Sequence, residues 1–520
     1  MVIDRATNRV SAVHSRSAIM PTIPLTVHPS ATLLPKERQL AWAIARFAAS
    51  NPPVPEDVAA AVSHRVADSL AVALAGIDRP SVCTARQMAL AHLRLRGARV
   101  FGFDIGVHAE WAAWANSVAV RELDWNDTFL AADFAHPSDC ISPLLAVAQQ
   151  TGRSGAALVR AIAIAYEVHV ALAKAIDLHS HKIDHVAHLA PAVVAGLGSM
   201  LQLPDAVTYS ALNQAVHLSF ATRQSRKGDI SSWKAYAPAW AGKTAIEATD
   251  RAMRGEGAPN PIYEGEDAVI AWMLAGPDAA YEVRLPDQGM PPTGILETYP
   301  KAYSAEYQAQ AMIDLAFALR SRVSLADISD IVIYTSDHTH RVIGSGANDP
   351  QKYDPKASRE TLDHSLPYIF AVALEDGAWD HVASYTPERA ARLETHRLWS
   401  AITTEEDPHW TERYHAANPA DRAFGGRVEI TMKDGSVVEA EKAVADAHPN
   451  GAAPWGADDY RSKFTRLAAS HLATEAIDRL WQATQDLSVL DAGQLAALNP
   501  LLPALASEPR TTGIFDWETS

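Results

Sequence analysis

Two acids, an amide, a hydroxyl and a histidine fall close together in Asp124-Trp125-Asn126-Asp127-Thr128 and His136-Pro137-Ser138-Asp139. These residue types suit proton transfer and carboxylate handling. A histidine titrates nearest neutral pH, and a carboxylate beside it can orient it or hold a lysine. The same residues also suit turns and helix starts, because short polar side chains bond their own backbone. The apolar run 141–148 follows at once, so His136 stands at a helix entry, where the helix dipole favours negative charge. A second group, Asp184-His185-Val186-Ala187-His188, has His179 and His181 just before it. His185 and His188 are three apart and share a helix face. A zinc site would need a third ligand and a frame such as His-Glu-x-x-His, and neither is present, so no metal is expected. Acid/base or surface histidines remain as readings.

Basic residues gather at Arg223, Arg226, Lys227, Lys234 and Lys243. They read either as a solvated loop or as an anion clamp. Trp233-Lys234-Ala235-Tyr236 lies where a loop turns into a helix, which would partly bury Lys234. Tyr299-Pro300-Lys301-Ala302-Tyr303-Ser304 falls at a change of pattern along the chain, where a lysine could reach a cleft. The segment 359–368, containing Asp363, His364 and Tyr368, is dense in polar groups ahead of an apolar helix. Its composition suits a capping turn or a cleft wall. No phosphate loop, dinucleotide fingerprint or nucleophile elbow occurs.

The elements that must position these residues follow from periodicity. Apolar residues recur at three- and four-residue spacing over about 36–296, as in Val58, Val62, Val66, Leu70 and Leu74, and so predict helices packed closely through alanine. A short strand or turn is expected at 98–103. Around 294 the pattern changes. The β-branched stretch 323–335 predicts a strand, and 426–432 with 436–441 predicts a hairpin about Asp434-Gly435. A helical pattern returns over 457–498. The chain is therefore expected to be mainly α: a flexible tail over 1–34, a helical domain over 35–296 and 456–500, an inserted smaller α+β lid domain over 297–455, and a tail over 501–520. Ligands favour the cleft between two such units.

Composition narrows the chemistry. The 520 residues carry a net charge of −16, with 48% hydrophobic and 20% charged residues. Nucleic acid is not an expected partner, since phosphate binding needs a basic face. An anionic substrate would need cations gathered locally against the overall field. Two cysteines, Cys83 and Cys140, exclude a disulfide scaffold and a four-thiolate iron–sulfur cluster. No uninterrupted apolar run is long enough for a membrane span, and the most apolar stretch, 155–176, reads as a buried helix. The N-terminus has no signal core. Its Arg5, Arg9 and Arg16 suit a transit peptide or, as expected here, the tail of a cytoplasmic protein.

Five stretches occur in an order that resembles the MmgE/PrpD family, most closely its 2-methylcitrate dehydratase branch: 120–139, 183–203, 231–248, 299–316 and 359–368. The resemblance covers about 36–500. It implies a helical domain with a smaller α+β lid, a homodimer, and no cofactor. It also implies a hydro-lyase that removes water from 2-methylcitrate in propionate breakdown, with citrate as a further substrate. Decarboxylation of cis-aconitate, or epimerisation of a related acid, is the alternative. The resemblance places the family's active-site residues on Asp124, Thr128, His136, Lys234 and Lys301. The family's second histidine falls on His185 or His188, where Asp-His-Val replaces the Phe-His-Pro of decarboxylase relatives. Tyr368 matches a Ser-x-x-Tyr segment. For a tricarboxylate substrate, the residue types assign acid/base work to the histidines and carboxylate binding to Lys234, Lys301, Arg223 and Arg226.

Overall fold

The computed structural model describes residues 21–416, 418–508 and 511–516. The protein is mainly α-helical, with its buried apolar side chains in two large cores. The first runs from Leu25 to Ile295 and is completed by Phe464, Leu467, Leu480 and other residues up to Leu505. The second gathers residues between Ala305 and Ile430. Residues from 464 onward thus return to the first core.

Ala-rich sequence explains the first core. The helices Ala109–Arg121, Ile141–Thr151, Gly155–Ala175, Leu189–Leu201 and Trp233–Met253 pack against one another through small side chains. At Gly196 a Cβ would come within 2.8 Å of the Ala161 carbonyl, so this crossing requires glycine. Two helices, Glu56–Ala75 and Gly155–Ala175, are long and apolar enough to cross a membrane; most of each lies inside the core. In the first, Arg65 and Asp68 are buried in ion pairs with Asp127 and Lys463.

The second unit holds a four-stranded sheet in the order Val437–Lys442, Gly426–Met432, Ile328–Thr335, Ile402–Glu406. The first two strands form the hairpin about Asp434-Gly435, and Gly435 has φ +86°. The last pair is parallel. Helices Gln310–Arg320 and Leu366–Asp376 belong to the same core.

Three expectations need correction. The stretch before residue 35 is not a free tail throughout. Thr22–Thr26 pairs antiparallel with Ala280–Arg284, and Leu25 is fully buried. Its β-forming residues outweigh Pro24, which an edge strand tolerates. Residues 1–20 lie outside the described residues. Residues 502–508 are also docked: Leu502 and Leu505 join the first core, and Glu508 pairs with Arg86 at 2.6 Å. Finally, the helical unit contains a second short strand pair, Phe129–Leu130 with Phe134–Ala135, besides Leu93–Arg99 with Gly106–Val107, which overlaps the strand or turn expected at 98–103.

Candidate active site

Helix Ala109–Arg121 ends three residues before Asp124, which adopts φ +50°. An acid tolerates this left-handed conformation better than most residues, and such strain persists where neighbours hold it. The turn leaves the Asp124 carboxylate inside a cluster of cations. Arg121 pairs with it, Lys301 Nζ lies 2.9 Å from Oδ1, and Lys234 Nζ lies 3.1 Å from Oδ2. Burial alone would raise the Asp124 pKa, but Arg121, Lys234 and Lys301 hold it well below the usual carboxylate range.

Asp127 builds the next turn. Its Oδ1 accepts from the Ser138 amide at 3.0 Å, its Oδ2 accepts from the Tyr166 hydroxyl at 2.9 Å, and Arg65 pairs with it at 3.3 Å. The Asp127 carbonyl lies 2.8 Å from His136 Nδ1. A carbonyl can only accept, so Nδ1 carries the proton and Nε2 keeps its lone pair. That nitrogen is 3.9 Å from Asp124 Oδ1. Burial, with the positive charges of Arg121 and Lys301, holds His136 well below its ordinary pKa. It is a neutral base at pH 7.

The Asp184 side chain caps the short turn His185–His188 and pairs with Arg226 at 3.2 Å, tying this turn to the Arg223–Arg226 segment. His185 lies 5.5 Å from His136 between ring centroids; its Nδ1 is 3.2 Å from Asp184 Oδ1, and its Nε2 has no hydrogen-bond partner among the described residues. Burial lowers its pKa to about 4. His188 is placed differently. Its Nε2 meets the Ile176 carbonyl at 3.1 Å, and it does not line the chamber that His136 and His185 share. Of the two, His185 is the one that lines this chamber.

The second unit supplies the opposite wall. Lys234, at the start of helix Trp233–Met253, would suffer from the helix dipole without acidic partners. Its ammonium bonds Asp363 at 2.8 and 2.9 Å, beside Asp124. Asp363 also accepts from Arg359 at 3.1 Å and meets His364 Nδ1 at 2.5 Å. Burial and Lys234 lower the His364 pKa to about 3. His364 Nε2 then faces Asp124 Oδ2 at 3.9 Å, so two imidazoles flank one carboxylate. Asp124, Asp363 and His364 have the spacing of a metal-ligand group. The Lys234 ammonium already bonds both acids there and lies 3.3 Å from His364 Nδ1, so the donor set is served by a cation of the chain itself.

Loops from both units are stitched together beneath these groups. Thr128 and Tyr299 exchange backbone hydrogen bonds at 3.0 and 2.8 Å. Lys463, from helix Ala457–Ala468, donates to the Trp125 carbonyl at 2.9 Å and the Lys301 carbonyl at 3.1 Å, and pairs with Asp68 at 2.7 Å.

The enclosed chamber measures about 20 Å³ and is lined by Arg121, Asp124, Thr128, His136, His185, Arg223, Arg226, Glu306, His338 and His364, among others. It adjoins a groove of about 1040 Å³, with which it shares Arg223, Arg226, His338 and Val342. Phe134 stands at the junction, its ring 4.7 Å from His185 and 6.0 Å from His338. Five basic residues and three acidic ones line the groove, a local excess of positive charge on a chain of net −16.

The sequence-derived set therefore divides. Asp124, Thr128, His136, His185, Arg223 and Arg226 line the chamber. Lys234 and Lys301 are fully buried against Asp124 rather than in the chamber wall, so the geometry gives the wall positions to arginines. Tyr368 is not at the site: its ring is in the second core and its hydroxyl donates to the Ser384 carbonyl at 2.5 Å. A Ser-x-x-Tyr match fixes spacing, but this tyrosine is consumed by packing. Arg121, Glu306, Asp363 and His364 were not assigned from sequence. Arg121 was discoverable from its three-residue spacing to Asp124, and Asp363 and His364 sit in the polar segment before an apolar helix. Glu306 carried no local signal.

Comparison with known proteins identifies the family. The model of the MmgE/PrpD N-terminal domain matches residues 38–282, and that of the C-terminal domain matches 303–488. The chain is 28% identical over 361 residues to a 2-methylcitrate dehydratase of Cupriavidus necator, covering 66% of this chain and 72% of that protein. It is 27% identical over 360 residues to a mitochondrial 2-methylcitrate dehydratase of Yarrowia lipolytica, covering 66% and 67%. It is 27% identical over 370 residues to a 2-methylcitrate dehydratase of Salmonella typhi, covering 65% and 71%. With both domain models matched across most of its length and in order, the chain belongs to the MmgE/PrpD family.

Proposed function

We propose that the protein is a hydro-lyase that eliminates water from 2-methylcitrate or a closely related tricarboxylate. The observation that carries this reading is His136. Its Nδ1 proton is committed to the Asp127 carbonyl, and its free Nε2 lies at a chamber lined by Arg121, Arg223 and Arg226. Elimination needs that combination. A proton alpha to a carboxylate is weakly acidic, so the base must be unprotonated and the developing charge must meet fixed cations. Arginines suit carboxylates because their planar fork binds both oxygens. Family relatives carrying the name 2-methylcitrate dehydratase support the choice of substrate.

In this mechanism the groove draws the anion toward the chamber, and the arginines take its carboxylates. His136 Nε2 removes the proton, with His185 beside it as a second imidazole. Asp124 keeps Arg121, Lys234 and Lys301 in place and remains ionised. A chamber of about 20 Å³ holds roughly one water molecule. A tricarboxylate is admitted when the α+β unit moves away from the helical one, and this unit then acts as a lid.

The test is to incubate purified protein with 2-methylcitrate, citrate and cis-aconitate in turn, following absorbance of the conjugated alkene and release of carbon dioxide. Alkene formation from 2-methylcitrate is the expected result. Carbon dioxide from cis-aconitate with no alkene from either hydroxy acid would overturn the reading.

A further inference from the structure

We propose that Glu306 is the general acid that delivers a proton to the departing hydroxyl, working against the histidine base across the chamber. The inference rests on the hydro-lyase reading and adds the group that reading lacks. His136 and His185 are both neutral, and His136 has no proton to give from Nε2.

The geometry singles out Glu306 among the carboxyls. Asp124 is paired with Arg121, Lys234 and Lys301. Behind the wall, Asp363 is paired with Lys234 and Arg359, and Asp184 with Arg226. Glu306 lines the same chamber and makes no ion pair among the described residues. It is held in place all the same. It caps the turn Tyr307–Ala309, its Oε2 accepts from the Gln308 amide at 2.7 Å, and its own amide donates to the Asp363 carbonyl at 3.1 Å. A carboxyl that is positioned, desolvated and left without a counter-ion holds its proton to higher pH than an exposed one. Burial raises its pKa to about 7, with Lys301 opposing that rise and Asp124 adding to it. The other titratable groups of the chamber wall are Arg121, Asp124, Arg223, Arg226, His136, His185, His338 and His364. One neutral imidazole and one neutral carboxylic acid facing one space is the pairing that acid–base elimination needs.

The step balances. His136 Nε2 takes the C–H proton, and the freed electron pair forms the C=C bond. The C–O bond breaks with its pair on oxygen, and the Glu306 proton passes to that oxygen, releasing water. Imidazolium and carboxylate remain. The first then loses a proton to solvent and the second regains one.

The experiment compares wild type, Glu306→Gln, Glu306→Asp and His136→Asn on two substrates: the hydroxy acid, and its analogue with chlorine in place of the hydroxyl. Chloride leaves without a proton. Glu306→Gln should lose about 100-fold or more in kcat on the hydroxy acid and lie within about tenfold of wild type on the chloro acid. His136→Asn should lose both. The alkaline limb of the wild-type kcat/KM profile should fall near pH 7; it should shift in Glu306→Asp and vanish in Glu306→Gln. Equal losses on both substrates, or wild-type turnover of the hydroxy acid by Glu306→Gln, overturn the proposal. Should Glu306→Gln melt, an alkaline limb unmoved in Glu306→Asp overturns it as well. A wild-type protein inert to both substrates removes the hydro-lyase reading, and this proposal with it, whereas active wild type with unaffected Glu306 variants removes the proposal alone.

Discussion

At the scale of single residues, the site is a balance of charges around Asp124. His136→Asn keeps a polar side chain but has no titrating nitrogen. It should cost about 100-fold or more in turnover, the usual contribution of a positioned acid or base, with little change in melting temperature. The sign of its pH dependence is fixed by the direction of the shift. Burial, Arg121 and Lys301 keep the imidazole neutral well below its ordinary pKa. Wild-type activity should therefore persist below pH 6.5 and fall only as protonation of the base sets in. An acid limb that begins above pH 6.5 would assign that limb to another group. Lys234 makes the opposite kind of prediction. Lys234→Met leaves Asp124 and Asp363 without their shared ammonium, and removing one partner of a buried pair costs about 3–5 kcal/mol. Asp363→Asn in the same chain should restore part of that loss in urea denaturation. Additive losses from the two substitutions would mean the pair is not coupled.

At the scale of elements, helix Ala457–Ala468 follows the second core in sequence yet reaches the site through one side chain. Lys463 holds the carbonyls of Trp125 and Lys301, neighbours of the two ends of the Lys301–Asp124 ion pair, and is neutralised by Asp68. Burial lowers its pKa to about 8, an effect that Asp68 opposes. Lys463→Met should lower stability by roughly 3–5 kcal/mol because Asp68 is left buried and unpaired. It should also lower kcat, since the loops carrying Asp124 and Lys301 lose a common anchor. The double variant Lys463→Met, Asp68→Asn should recover stability more fully than kcat. Equal recovery of both would show that the lysine serves packing alone.

At the scale of the whole molecule, two cores meet along a polar seam. Arg79 pairs with Glu360 at 2.9 Å, Lys227 with Asp349 at 3.2 Å, and Ser358 donates to the Ile230 carbonyl at 2.6 Å. Such a seam resembles a transient interface more than a continuous core, so relative motion of the two units is the expected behaviour. Hydrogen exchange with and without 2-methylcitrate tests it. Protection should rise in 299–307 and 359–364 on binding. Unchanged exchange in both segments would remove the lid role of the α+β unit. Raising ionic strength should also lower kcat/KM more than kcat, because screening weakens the attraction of the groove for an anion.

The amino-acid sequence by itself determined the elements. Apolar spacing and alanine content dictate the helices, Asp434-Gly435 dictates the hairpin, and the β-branched run dictates the strand Ile328–Thr335. These signals are local, so a single chain reveals them. It also brought Asp124, His136 and His185 into view, since their residue types are informative in place and family resemblance supports them. Only the tertiary structure decided which groups share a space. His188 lies three residues from His185 but bonds the Ile176 carbonyl instead, and Tyr368 is spent on the second core. Lys234 and Lys301 are set behind Asp124, and Glu306 faces the chamber without a counter-ion. Each of these outcomes depends on neighbours more than a hundred positions away or on burial, and both are properties of packing that periodicity and spacing do not encode. The net charge of −16 similarly gave no sign of the cationic groove, because a charge total carries no positions.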